Sequence, residues 1–214
     1  MGSRVITKLA SRLISLTAVR IGVVIGARWD EFDGIDQAWP GAPAPDAIWR
    51  IPAARMKLTV EDKSNNAFGD DVLLSSQAVA VLRTIRVVSG FRDLLFPNDK
   101  SRREPMSEVA VSSLYKRMRG GAYRNRMVPH DWRAAFSTIR NERAADLNRD
   151  GDRLIIGMIL ANFPAVISAS EWAYNRARYR RPRTDLLRAW ADKICDDAEY
   201  PQSLIGMEAR AGLC

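Results

Sequence analysis

A single stretch of this chain, residues 48–74, reads as extended, and nearly everything around it carries helical spacing. That imbalance predicts an α+β fold, mainly α: a helical domain with one small antiparallel β-sheet at an edge. Ile48-Trp49-Arg50-Ile51-Pro52 is apolar with β-branched residues and predicts a strand, with Arg55–Val60 as its partner. Asp62–Asp71 is polar, contains Asn65-Asn66 and Gly69, and reads as a hairpin loop; Asp71–Leu74 then closes the sheet. On the helical side, Val5, Leu9, Leu13 and Leu16 recur on one face of residues 4–18. A short helix follows Arg20 through Val23, Val24 and Ala27, and the Gly-, Pro- and Asp-rich residues 33–47 form a loop. Ser75 or Ser76 caps a helix to Val88, with Val79, Leu82 and Ile85 facing inward. Ser107 caps another that runs to about Arg119 and is ended by Gly120-Gly121. Pro129 suits the first turn of a helix over 129–145. Helices over 153–161, 168–178 and 182–197 complete the pattern, the last with Leu186, Leu187, Trp190 and Ile194 on one side. The domain is therefore expected over 4–197, followed by a tail of mixed composition over 198–214.

Charge narrows the function classes. The 214 residues hold 33 Lys+Arg against 25 Asp+Glu, a net charge of +8. Such a balance favours polyanionic partners, nucleic acid foremost. A lone histidine, His130, excludes a His-rich metal site. Cys195 and Cys214 have neither metal-type spacing nor a disulfide framework, which fits a reducing, cytoplasmic setting. No stretch approaches the ~18 apolar residues of a membrane span. Met1-Gly2-Ser3 lacks the apolar core of a signal peptide and reads as a junction before a domain excised from a longer protein.

Three short motifs carry chemistry, each with a plainer alternative. In His130-Asp131-Trp132-Arg133, residues three apart share a helix face, so His130 and Arg133 can address one oxyanion. The plainer reading is a satisfied helix-start histidine and a surface arginine. Leu16-Thr17-Ala18-Val19-Arg20 delivers an arginine fork at a junction between elements, suited to two phosphate oxygens, or simply a solvated arginine. Ala173-Tyr174-Asn175-Arg176 offers a tyrosine, a poor nucleophile at its free pKa of ~10 that a cluster of cations could activate by lowering that pKa and aligning its oxygen with a phosphate. The alternative is a core tyrosine. Tyr179, five residues on, points away from the Tyr174 direction, so both cannot face one site.

Together these motifs resemble the tyrosine recombinase family, and most closely its genomic-island and temperate-phage integrases. The matched stretches are Leu16–Arg20 with Gly26-Ala27-Arg28-Trp29, Ile51–Lys57, Pro105-Met106-Ser107, Pro129–Ala134 and Ser168–Ala177. They run in order from Leu13 to Trp190. The resemblance implies the catalytic domain of a site-specific DNA recombinase that works through a 3′-phosphotyrosyl intermediate without a cofactor. Arg20 and Arg133 match the arginines that clamp the scissile phosphate, and His130 the histidine beside them. Lys57 matches the lysine that protonates the departing 5′ oxygen, with Lys63 as a second candidate. Tyr174 matches the nucleophile. The resemblance also implies double-stranded DNA as partner, a tetramer on DNA and accessory DNA-bending proteins. The helix over 182–197 packs onto a neighbouring subunit in the family, although its apolar face equally suits an intramolecular core.

Two positions depart from the family pattern. Leu160-Ala161 is followed by Asn162 where a histidine or tryptophan is usual; asparagine still donates a hydrogen bond but carries no charge. Arg20-Ile21-Gly22-Val23-Val24 replaces Arg-Pro-Gly-Glu-Leu, so the acid that braces the first arginine is absent unless Asp30, Glu31 or a carbonyl substitutes. The N-terminal core-binding and arm-binding domains of the family have no room before Val5. These departures open a second reading, a catalytically impaired DNA-binding remnant of an integrase. A third, a basic helical protein unrelated to DNA, requires Arg20 and Arg133 to lie far apart.

Overall fold

The computed structural model describes residues 5–35, 42–65, 68–90, 93–98, 100–161 and 178–205. Helix α1 (Val5–Thr17) runs through the centre, with Leu9 and Leu13 fully buried and Leu16 nearly so, as their spacing predicts. The short α2 (Ile21–Ile25) follows. A 3-10 turn (Trp29–Glu31) leads into β1 (Phe32–Asp33), and β2 (Ile48–Ile51) comes after the loop. A second 3-10 turn (Ala53–Arg55) and the one-turn α3 (Val60–Lys63) connect β2 to β3 (Asp70–Leu73). Then come α4 (Ser76–Ser89), α5 (Glu108–Arg117), α6 (Asp131–Asp146), α7 (Asp152–Ile159) and α8 (Arg180–Cys195). Helices α4, α5 and α8 pack around α1.

The sheet is antiparallel in the order β1-β2-β3, so the fold is mainly helical with one small sheet. Its pairing differs from the expectation. Residues 55–60 form no strand; β2 pairs instead with Phe32–Asp33 on one side and Asp70–Leu73 on the other. Pro52 has no N–H to continue a ladder, and three local hydrogen bonds curl the chain instead: Arg55 N to Pro52 O, Met56 N to Ala53 O and Leu58 N to Met56 O, each 3.0 Å. Phe32, within one residue of the expected loop, earns its pairing by stacking on Trp49 at 5.2 Å. The expected helix over 168–178 lies, except for Arg178, outside the described residues.

Both predicted serine caps form. Ser75 accepts from Ala78 N at 3.2 Å and Ser107 from Ala110 N at 3.3 Å. Ser75 is 2% exposed, whereas Ser107 is open to water. Water replaces a lost cap only at the surface, so Ser75→Ala is expected to cost about 1–2 kcal/mol and Ser107→Ala about 0.5. Chemical denaturation of the two variants checks this; equal losses would contradict it. After α8 the chain returns to α4 through a 3-10 turn (Pro201–Leu204), burying Pro201 and Ile205.

Candidate active site

Helix α6 is fixed by contacts that do not involve its candidate residues His130 and Arg133. Asp131 Oδ2 accepts from Val128 N at 2.8 Å, which closes the entering turn and sets an acid at the positive helix end. The helix starts at Asp131 rather than Pro129, with His130 as its exposed N-cap. Trp132 donates from Nε1 to Tyr115 Oη at 2.7 Å, and the same hydroxyl bonds Ser11 Oγ at 2.7 Å. Burial raises the Tyr115 pKa, keeping the phenol protonated between its partners. Residue 133 is thereby held in register with α1 and α5.

Arg133 is 6% exposed. Its Nη1 donates to the Ala18 carbonyl at 2.5 Å and its Nη2 to the Leu160 carbonyl at 2.6 Å. Both carbonyls lie just past helix ends, α1 at Thr17 and α7 at Ile159. Helix C-termini carry orphan carbonyls and partial negative charge, so the cation sits where two such ends meet. Ala18 and Ala161 turn the chain away there with left-handed φ of 53° and 47°. Arg20, half-buried at the N-cap of α2, comes close enough to act on Arg133. Burial first and the Arg20 charge second bring the Arg133 pKa down to about 10, with Asp70 opposing. Arginines from opposite halves of the sequence thus lie within electrostatic range of each other, and an anion beside them would relieve their repulsion.

Asp70 and Arg183 complete the cluster. Arg183, 5% exposed, donates from Nη2 to Asp70 Oδ1 at 2.8 Å. Burial pushes the Asp70 pKa up while the Arg183 charge pulls it down, and the upward direction prevails. Beside it, Asp71 accepts from Arg178 at 3.1 Å and Arg180 at 3.3 Å, tying the start of α8 to β3. No motif in the sequence singles out Asp70 or Arg183. Arg183 was detectable: it falls in phase with Leu186, Leu187 and Trp190, and a charge on an apolar stripe marks a buried one.

Lys57 and Lys63 are both exposed on the β2–β3 connection, Lys57 after the 3-10 turn and Lys63 at the end of α3. Asn162 and Tyr174 lie outside the described residues. Near either end of that stretch the chain is tethered, at Leu160 through Arg133 and at Arg178 through Asp71. Tyr179 packs against the core. Glu31 braces Arg55 and Trp49, and it is 7% exposed. Among the described residues no cluster of His, Cys, Asp and Glu could hold a metal, and no helix is long and apolar enough to cross a membrane.

Three relatives are similar in sequence. The chain is 30% identical over 179 residues to prophage integrase IntA of Escherichia coli K12, covering 84% of this chain and 36% of that protein. It is 36% identical over 119 residues to the integrase of Enterobacteria phage P4, covering 54% of this chain and 25% of the relative. It is 31% identical over 119 residues to the putative protein IntB of Escherichia coli K12, covering 54% and 28%. The chain thus spans about a third or less of the length of these relatives. No protein-family model matches it, and no solved structure does. The likeness to these phage and prophage proteins supports an integrase family for the chain.

Proposed function

We propose that this chain is the catalytic domain of a tyrosine-type site-specific recombinase acting on double-stranded DNA. The observation that carries the proposal is the pairing of buried Arg133 with Arg20, two cations in one site with helix ends behind them. A phosphodiester is the anion such a pair suits, because a guanidinium offers a planar fork to two phosphate oxygens. Tyr174 Oη attacks phosphorus, forming the 3′-phosphotyrosyl bond as the bond to the 5′ oxygen breaks. Arg20 and Arg133 stabilise the charge that builds on the non-bridging oxygens. His130, one turn before Arg133, assists proton movement, and Lys57 protonates the leaving 5′ oxygen. Asn162 donates a hydrogen bond to the phosphate. Rejoining reverses these steps with an incoming 5′ hydroxyl, so the bond energy is conserved and no cofactor is consumed. Recombination would take place in a tetramer on DNA.

A suicide duplex, nicked so that the cleaved end is lost, tests the reading. The wild-type chain is expected to form a covalent protein–DNA complex, and Tyr174→Phe to form none while binding DNA with the same steep salt dependence. Salt-sensitive binding without covalent product in the wild type would overturn the enzymatic reading and leave a DNA-binding remnant, the reading that Val23 and Asn162 favour. A basic helical protein unrelated to DNA would show neither.

A further inference from the structure

We infer that Arg55 is a positioning residue, one that locks the turn presenting Lys57 onto the helix presenting Arg20. The inference rests on the recombinase reading above. Arg55 lies in the 3-10 turn after β2, and its guanidinium divides between two elements. Nη1 donates to Glu31 Oε1, and Nη2 donates to the Val23 carbonyl on α2. Glu31 is itself fixed, since its other oxygen accepts from Trp49 Nε1 at 2.8 Å. The charge pair is therefore bonded on both sides, the condition under which a buried ion pair holds geometry without leaving an orphaned charge.

The backbone makes this strut relevant to Lys57. Arg55 and Met56 are pinned by their hydrogen bonds to Pro52 and Ala53, and Met56 is 6% exposed in the core. Leu58 N bonds back to Met56 O at 3.0 Å. Lys57 is thus the exposed residue of a turn whose neighbours are tethered on both sides. At the other end, Val23 and Val24 N–H groups donate to the Arg20 carbonyl at 3.0 and 3.1 Å, so the strut reaches the first turn of the Arg20 helix. A lysine at 55 cannot reproduce the fork, because one ammonium is a point donor on a flexible stem. A general acid must meet its leaving oxygen within hydrogen-bond reach, and a displacement of about 1 Å can lower the rate by ~10²-fold.

The test compares two nicked duplexes in single-turnover cleavage by the full chain, one with the natural 5′ oxygen at the scissile bond and one with sulfur. A thiol, with pKa ~8.5, departs as thiolate and needs no acid. With oxygen, Arg55→Met is expected to cleave ~10–100-fold more slowly at unchanged DNA affinity, and Arg55→Lys to show a milder form of the same defect. With sulfur, both are expected to match the wild type. Lys57→Ala should show the same rescue, and Arg55→Met should add nothing to it. Equal slowing of both substrates would overturn the inference, as would wild-type cleavage of the oxygen substrate by the Arg55 variants or rescue of Lys63→Ala in place of Lys57→Ala. A wild-type chain inert on both duplexes would instead sink the recombinase reading, and this inference with it.

Discussion

Replacing Arg133 with methionine is expected to lower single-turnover strand cleavage by about 10³-fold while the protein still folds. The rate effect follows from where the charge sits. Arg133 is buried, so its field on an adjacent phosphate is screened far less than that of a surface arginine. The fold survives because opposing changes accompany the loss. Methionine keeps the aliphatic stem but leaves the carbonyls of Ala18 and Leu160 without their charged donors, at about 1.5–3 kcal/mol each. It also removes a desolvated cation and its repulsion with Arg20. The sign of that second contribution is fixed by the depressed pKa. Because the folded-state value is about 10, below the ordinary arginine value, the native protein releases this proton before the unfolded chain does. Stability from this group therefore rises with pH above about 10, and at neutral pH the charged form weighs against folding. Arg133→Lys keeps a charge but cannot span both carbonyls and a phosphate, so it should fall by about 10²-fold. Cleavage within tenfold of wild type in the methionine variant, with the thermal transition intact, would remove Arg133 from the site.

The parts of this fold that sequence made legible are those governed by local physics. Leu9, Leu13 and Leu16, or Val79, Leu82 and Ile85, face inward because a helix of period 3.6 has one apolar side. Ser75 and Ser107 cap because a hydroxyl beside orphan N–H groups satisfies them wherever the helix goes. Strand pairing is not local. Nothing within residues 55–60 says that β2 will prefer Phe32, since that choice rests on a stack between Phe32 and Trp49 across the intervening loop. The candidate site divides the same way. The His-x-x-Arg spacing marked Arg133, and the junction after α1 marked Arg20. That Asp70 would supply the opposing charge, or Arg55 the link to α2, depends on contacts between elements that no spacing encodes.

Trp190→Ala is expected to lower the folding free energy by about 3–5 kcal/mol, a large part of the ~5–15 kcal/mol that holds a domain together. Trp190 is 1% exposed where α8 meets α1 and α6. Its ring meets Phe136 edge-on at 5.5 Å and Trp132 at 6.5 Å, so truncation opens a cavity between three helices. Its Nε1 also donates to the Ser15 carbonyl at 2.7 Å, one of the carbonyls in the last turn of α1 that have no partner within the helix. Trp190→Phe keeps the six-membered ring but loses the donor and part of the ring volume, and is expected to cost about 1–3 kcal/mol, less than the alanine variant. Denaturant midpoints for the two variants measure the difference, and values within 1 kcal/mol of each other would show that the cavity collapses. Trp190 is linked to Arg133 through the Ser15–Ala18 end of α1, so its removal is expected to act through stability. Activity lost in Trp190→Ala should therefore track the unfolded fraction and return on cooling toward maximal stability. Activity lost in Arg133→Met should not return at any temperature, because there the fold is intact and the charge is gone.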